Sequence, residues 1–245
     1  MSKRSLKVKE NWRHWTPELA KIFLRCGPEG KIHPSRVRVL SLLEDMSSVL
    51  DVGCGNGVMF EMIRERRLDL EYLGIDVTEN LLQVARQLFP AEAHRFRQMS
   101  LYDLKKLRRK FDAVVCRHVL EHLPDYAPAV QDMYSRAKKK LILVFYLPPQ
   151  PLSSGRKQDE RFERGFYTHT YDLGKFINHL STELSPDPSE IRIHLRHGRG
   201  DPRMPWADRQ NVIYEVIRPT GKTRSTHLKS TRTDKLALAT ETKIV

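Results

Sequence analysis

Cysteine is scarce in this chain, and the three that occur, Cys26, Cys54 and Cys116, make an odd number without metal-ligand spacing. That argues against a disulfide framework and points to a reducing compartment, the cytoplasm. No apolar run reaches the length needed to span a bilayer, so no transmembrane helix is expected. Met1 to Glu10 carries charges but no apolar core segment, so no secretory signal is expected there. The ten histidines are scattered and lack ligand spacing, which predicts no metal site. Internal repeats are absent. No stretch interleaves aromatic and basic residues as an RNA-stacking sheet would. No Asn/Asp-Pro-Pro-aromatic run follows the fourth strand read below. Acidic residues are also in deficit: 30 Asp and Glu face 43 Lys and Arg, a formal charge of +13.

The composition otherwise fits a single α/β domain. A chain of 245 residues can bury a sizeable core. A mean hydropathy of −0.53 with 40% hydrophobic residues suits a polar surface. The basic excess is partly local. Arg192, Arg196, Arg199, Arg203 and Arg209 crowd one late segment, and Lys222, Arg224, Lys229, Arg232 and Lys235 crowd the tail. Such a surface attracts phosphates, nucleic acid included, and anionic membranes, or is simply a solvated basic face with a disordered end. Charge alone does not decide between them.

The most informative run is Val49-Leu50-Asp51-Val52-Gly53-Cys54-Gly55-Asn56-Gly57. An apolar stretch that reads as a buried parallel strand ends in three alternating glycines, and a helical pattern starts at Val58. Glycine permits the tight strand-to-helix turn and lets backbone approach a ligand, while the helix start offers free N–H groups. About twenty residues on, Gly74-Ile75-Asp76 ends a second apolar run. A carboxylate there can accept both hydroxyls of a ribose. The spacing is G-x-G-x-G rather than G-x-G-x-x-G, and Asp51 precedes the first glycine by two residues. An acid at that point suits a cationic ligand end and would repel a pyrophosphate, which disfavours a nicotinamide dinucleotide.

Taken with Phe111-Asp112-Ala113-Val114-Val115-Cys116-Arg117-His118-Val119-Leu120-Glu121-His122-Leu123-Pro124, these runs resemble the class I S-adenosylmethionine-dependent methyltransferases, in particular the group whose fourth strand leads into V-L-E-H-L. The resemblance covers about Ser47 to Leu147 and extends more loosely to Pro219. It implies a doubly wound, Rossmann-like sheet of seven strands, mostly parallel with an antiparallel last strand, and helices on both faces. It also implies S-adenosyl-L-methionine as cofactor. Gly53 and Gly55, with Cys54, Asn56 and Gly57 in the same loop, would line its methionine part, and Asp76, with Val77 beside it, would hold the ribose. Leu101 or Tyr102 would lie beside the adenine ring, and Asp103 would accept from its amino group or else cap a turn. The backbone of Arg117 and His118 would close over the methionine end.

The pattern of the chain places these residues. Helices are expected at His33 to Glu44, Val58 to Arg67, Glu79 to Phe89, Tyr126 to Ala137 and Tyr171 to Leu180. Strands are expected at Ser48 to Val52, Tyr72 to Val77, His94 to Met99, Ala113 to Arg117, Lys140 to Leu147, Ile191 to Leu195 and Val212 to Ile217. Alternation of this kind implies a parallel sheet covered on both faces. Residues 1–30 read as an N-terminal extension, a lid or a helix packed on the side. Residues 31–219 read as the domain. Its insert, about 149–168, is expected to be a mobile acceptor-side loop. Residues 220–245 read as a basic, flexible tail.

A sulfonium is an activated methyl donor, so alignment of an acceptor and exclusion of water do most of the work. A base is needed only for a hydroxyl or a protonated amine. His118, His122 and His169 are the candidates, with a purely structural role open for His122. Three functions stay in play: methyl transfer to a small-molecule acceptor, methyl transfer to RNA or another macromolecule, and cofactor binding without turnover. The oligomeric state is not legible.

Overall fold

The computed structural model describes residues 33–158, 167–196 and 211–219. Helix α1 (Pro34–Ser41) precedes β1 (Ser48–Val52), then α2 (Val58–Glu65), β2 (Glu71–Asp76), α3 (Glu79–Leu88), β3 (Phe96–Gln98) and β4 (Phe111–Arg117). Helix α4 (Ala127–Arg136) runs directly into β5 (Ala137–Phe145). A small hairpin comes next, β6 (Gly155–Gln158) and β7 (Tyr167–Thr170), then α5 (Leu173–Asn178), β8 (Glu190–Arg196) and β9 (Asn211–Ile217).

Seven strands form one sheet in the order β3-β2-β1-β4-β5-β9-β8. The pairs from β3 through β5 are parallel, and β9 is antiparallel to both β5 and β8. Each expected strand and helix is therefore present, and the antiparallel strand is the last in the chain, as expected. Every residue of β1 is buried, as a central strand covered on both faces requires. The alternation of β4 shows the two layers: Ala113 and Val115 pack with α1, α2 and α3, whereas Val114 and Cys116 pack with Met133 of α4 and Phe176 of α5.

Boundaries differ where local pairing overrides pattern. His94 and Arg95 belong to a 3-10 turn, Pro90–Arg95, so β3 starts at Phe96. Thr170 does not cap the following helix, because it pairs with Gly155 in the hairpin. The cap is Asp172, whose carboxylate accepts from Lys175 N–H at 2.8 Å. The insert expected to be a loop carries the hairpin instead. Residues 159–166 at its tip, the extension 1–30, the tail 220–245 and Arg199, Arg203 and Arg209 lie outside the described residues.

Candidate active site

The glycine loop leaves β1 with Gly53, Gly55 and Gly57 at φ +78°, +56° and +83°. Gly53 has a second reason to be glycine: a Cβ there would stand 2.3 Å from Cγ2 of Val119, on the loop after β4. The loop is pinned to β2, since Gly53 and Cys54 N–H both donate to the Ile75 carbonyl, at 2.8 and 3.0 Å. Asp76 completes the tie. Its Oδ2 accepts from Gly55 N–H at 2.9 Å and its Oδ1 from Thr78 N–H at 2.8 Å. Burial raises the carboxyl above its usual range, and these backbone bonds pull it back. Val77 lies next on the rim, half-buried.

Asp51 sits deeper than its spacing suggests. It is 4% exposed and accepts from the Tyr72 hydroxyl at 2.7 Å. Burial lifts its pKa to about 6, against the pull of that hydrogen bond and of the Arg36 charge. Its carboxylate thus lies beneath the loop, bonded to protein. Leu101 is buried and Tyr102 packs at the core edge. Asp103 points to Lys106, 2.7 Å away, and the cap of its turn is Ser100, whose hydroxyl accepts from Tyr102 N–H.

The far wall comes from β4 and the loop after it. Arg117 Nε donates to the Ser35 hydroxyl at 3.1 Å. His118 is in the left-handed region, φ +56°, which a side chain of its size adopts only when surroundings demand it. Its N–H donates to Val144 O at 2.9 Å, and its Nε2 meets Asn211 Oδ1 at 2.7 Å. The His118 ring stands edge-on to His33 at 5.9 Å and to Tyr146 at 5.2 Å. Burial, with the positive Arg117 nearby, pushes its pKa well below 6.5, so the ring is neutral. His122 lies 6.0 Å from the same Tyr146 ring, and its Nδ1 is 3.4 Å from Tyr167 O. His118 and His122 therefore flank one tyrosine.

His169 does not join them. On β7 it alternates with Thr168, which is buried and 3.5 Å from the Tyr146 hydroxyl. His169 thus faces the opposite side of the hairpin, in register with Arg156. Burial and then the Arg156 charge lower its pKa.

Four residues were not singled out by pattern. His33 caps α1, its Nδ1 2.9 Å from the Ser35 hydroxyl, and burial lowers its pKa to about 3. Arg36 of α1 is near enough to depress Asp51 and His118 together. Asn211 opens β9 beside His118. Glu121, with no exposed surface, accepts from Tyr146 N–H at 2.7 Å and is raised to about 7 by burial. His33 and Asn211 carry no local signal, because His33 comes from the cap of α1 and Asn211 from the start of β9, both far from His118 in the chain. Glu121 lies inside a run already read for its histidine. In the basic late segment, Arg192 is engaged by Glu190 at 2.7 Å, a short pair on the surface.

Could this arrangement hold a nucleoside cofactor? An ionised carboxylate offers about four lone-pair positions, and backbone takes one on each oxygen of Asp76. The Thr78 side chain and Val77 N–H add to this hold, so the carboxylate is fixed in place at the mouth of the crevice, where a ribose would meet it. Asp76 is partly exposed at the carboxyl end of β2, where a doubly wound sheet receives its ligands. The residues fit.

The chain is similar to known proteins. A family model described as a methyltransferase domain matches residues 9–184. A ubiquinone biosynthesis O-methyltransferase of Alkalilimnicola ehrlichii is 37% identical over 126 residues, 48% of this chain and 47% of that one. A protein of the same name from Hydrogenovibrio crunogenus is 26% identical over 189 residues, 69% of this chain and 72% of that one. The chain spans about half the length of the first of these relatives. Among solved structures, magnesium protoporphyrin IX methyltransferase from Synechocystis with bound SAH superposes with a TM-score of 0.54 at 18% identity. The match covers 80% of this chain and 88% of that one. An S-adenosylmethionine-dependent methyltransferase from Mesorhizobium loti gives 0.57 at 19%, covering 76% and 96%. At such identities the superpositions establish the fold. With the family model spanning most of the chain and the sheet order in place, the chain belongs to the methyltransferase-domain family, in the Rossmann-like fold of the class I S-adenosylmethionine-dependent enzymes.

Proposed function

We propose that the chain binds S-adenosyl-L-methionine in the crevice between the glycine loop and Asp76 and methylates a hydroxyl of a small-molecule acceptor. The observation that carries the cofactor half is the Asp76 carboxylate, fixed at the carboxyl end of β2 by Gly55 N–H and Thr78 N–H and tied to the glycine loop. When bound, the cofactor supplies an electrophilic methyl group on sulfur. The remaining work falls to the chain. Backbone N–H groups at the start of α2 face the crevice, and Arg36 and Arg117 add positive charge that suits a carboxylate. The His118–Tyr146–His122 wall and the β6–β7 hairpin cover the acceptor side and exclude water. Alignment of this kind can supply about 7–11 kcal/mol of barrier reduction.

The neutral His118 is suited to take the acceptor proton. Asn211 Oδ1 can only accept, so Nε2 carries a proton and Nδ1 keeps its lone pair. An oxygen acceptor agrees with the name of the relatives, O-methyltransferases. Cys54 and Cys116 are buried and unpaired, which supports the cytoplasm as the compartment. No helix among the described residues is long and apolar enough to cross a membrane.

Calorimetric titration of S-adenosylhomocysteine into the chain and into Asp76→Ala tests the cofactor site. Saturable binding, much weakened in the variant, supports it; a folded chain that ignores the ligand overturns it. A screen of phenols and catechols with labelled methyl donor then tests the acceptor. Binding with no turnover on any hydroxyl would discard the oxygen reading.

A further inference from the structure

At the other end of the sheet, where the parallel strands begin, the chain has a second concavity of about 510 Å³. It lies between edge strand β3 and the turn that leads into β4. Arg95 and Arg97 form one wall, and Lys106, Arg108 and Arg109 form the other, against a single carboxylate, Glu71. Glu71 opens β2 and Asp76 closes it, so about 3.3 Å per residue puts this groove roughly 17 Å from the cofactor crevice.

The charges are unevenly used. Arg109 grips Glu71 with both arms, and Lys106 is paired with Asp103. Arg95, Arg97 and Arg108 have no ion-pair partner among the described residues. Arg95 also buries its Nε without a hydrogen-bond acceptor. Glu71 draws on Arg95 but is already held by Arg109, and three further guanidinium groups at one concavity repel each other. A buried donor without an acceptor is rare enough in a folded protein to need an account. Guanidinium groups present paired donors that match phosphoryl oxygens.

We propose that this groove binds a compact phosphoryl ligand carrying at least two negative charges, such as pyrophosphate or the phosphate end of a nucleotide. The charge distribution favours a compact ligand over a nucleic-acid backbone. The lysines that would extend the groove into a track are engaged by carboxylates: Lys105 by Asp132, and Lys138 and Lys139 by the single carboxylate of Asp112. Guanidinium groups without an ion pair are thus gathered at the groove. Its volume is within the range typical of small-ligand sites, about 300–1,000 Å³. The site is separate from methyl transfer and does not depend on that reading.

Isothermal titration of the full chain with inorganic pyrophosphate tests it, with S-adenosylhomocysteine present throughout so that the cofactor crevice is not in question. The wild type should bind one equivalent. Arg97→Ala/Arg108→Ala should bind roughly tenfold or more weakly, with its circular dichroism and its S-adenosylhomocysteine affinity unchanged. If the double variant does not fold, Arg97→Gln and Arg108→Gln are read singly against the same expectation. Failure of pyrophosphate to bind overturns the proposal. So does equal binding by the variants, which would move the site to basic residues elsewhere. A short oligouridylate is the second probe. Saturable RNA binding that pyrophosphate does not displace would replace the compact ligand by a nucleic-acid backbone.

Discussion

Nε2 of His118 is 2.7 Å from Oδ1 of Asn211, a contact that joins the end of β4 to the start of β9 across 93 positions of sequence. It fixes the orientation of the imidazole ring. His118→Ala is expected to lower turnover by roughly 10²–10⁴ while S-adenosylhomocysteine affinity holds. Asn211→Ala should cost less, because the ring survives but loses its orientation. Steady-state transfer alongside ligand titration separates the roles. Parallel loss of affinity and turnover would make His118 a cofactor-holding residue instead. Because the His118 pKa is well below 6.5, turnover should stay level from neutral pH down past the ordinary imidazole range and fall only beneath it.

Asp76→Ala removes the acceptor of Gly55 and Thr78 N–H at once. The expected result is a loss of about 1–3 kcal/mol in stability, together with weakened cofactor binding. Asp76→Asn keeps one oxygen and should retain part of both. Thermal unfolding with and without S-adenosylhomocysteine reads the two effects apart. A variant as stable as the wild type would mean that the loop does not need this tie.

Gly53→Ala meets both a positive φ and the Val119 side chain. A cost of about 1–3 kcal/mol is expected. Adding Val119→Ala should recover the steric share and leave the backbone share. Strict additivity of the two substitutions would rule out the contact as the source.

Glu121 titrates at about 7 in the folded chain, against about 4.5 for a free glutamate. The folded state therefore holds the proton more tightly. The Glu121 contribution to stability is fully present below pH 4.5 and is lost as pH rises through 7, about 3 kcal/mol in all. Glu121→Gln should flatten denaturant midpoints across that window. Glu215 acts in the opposite sense. It is 1% exposed, with Lys140 Nζ at 3.0 Å and His194 Nε2 at 3.1 Å, and its pKa is held down at about 2. Its contribution is present above pH 4.5 and disappears as pH falls toward 2. Glu215→Gln should leave midpoints less sensitive to acid over that lower range. An unchanged slope in either variant would contradict the assignment.

The cofactor half of the site was legible because its signals are local. A mostly apolar β1, three glycines and a carboxylate at the end of β2 are contiguous patterns that need no tertiary knowledge. Even there, depth was not readable: Asp51 has the expected spacing yet bonds to Tyr72 under the loop. The acceptor half resisted. Strand β6 begins Gly155-Arg156-Lys157, with no apolar alternation, and becomes a strand only by pairing with β7. Register then decided His169, because one step along β7 separates the buried Thr168 from the opposite face. His33 and Asn211 arrive from distant parts of the chain, placed beside His118 by contacts that no local window contains.

The two halves of the crevice come from separate stretches of chain. Positions 53–76 carry the proposed donor side. The hairpin, closed at its base by Gln150 and Tyr171 and leaning on the turn after β4 through the Tyr171 hydroxyl, roofs the other side. None of its paired residues is a rung of the main sheet. It is in effect a cassette: residues 150–171 could be exchanged for the corresponding segment of another member, changing which acceptor is admitted while the donor machinery stays as it is.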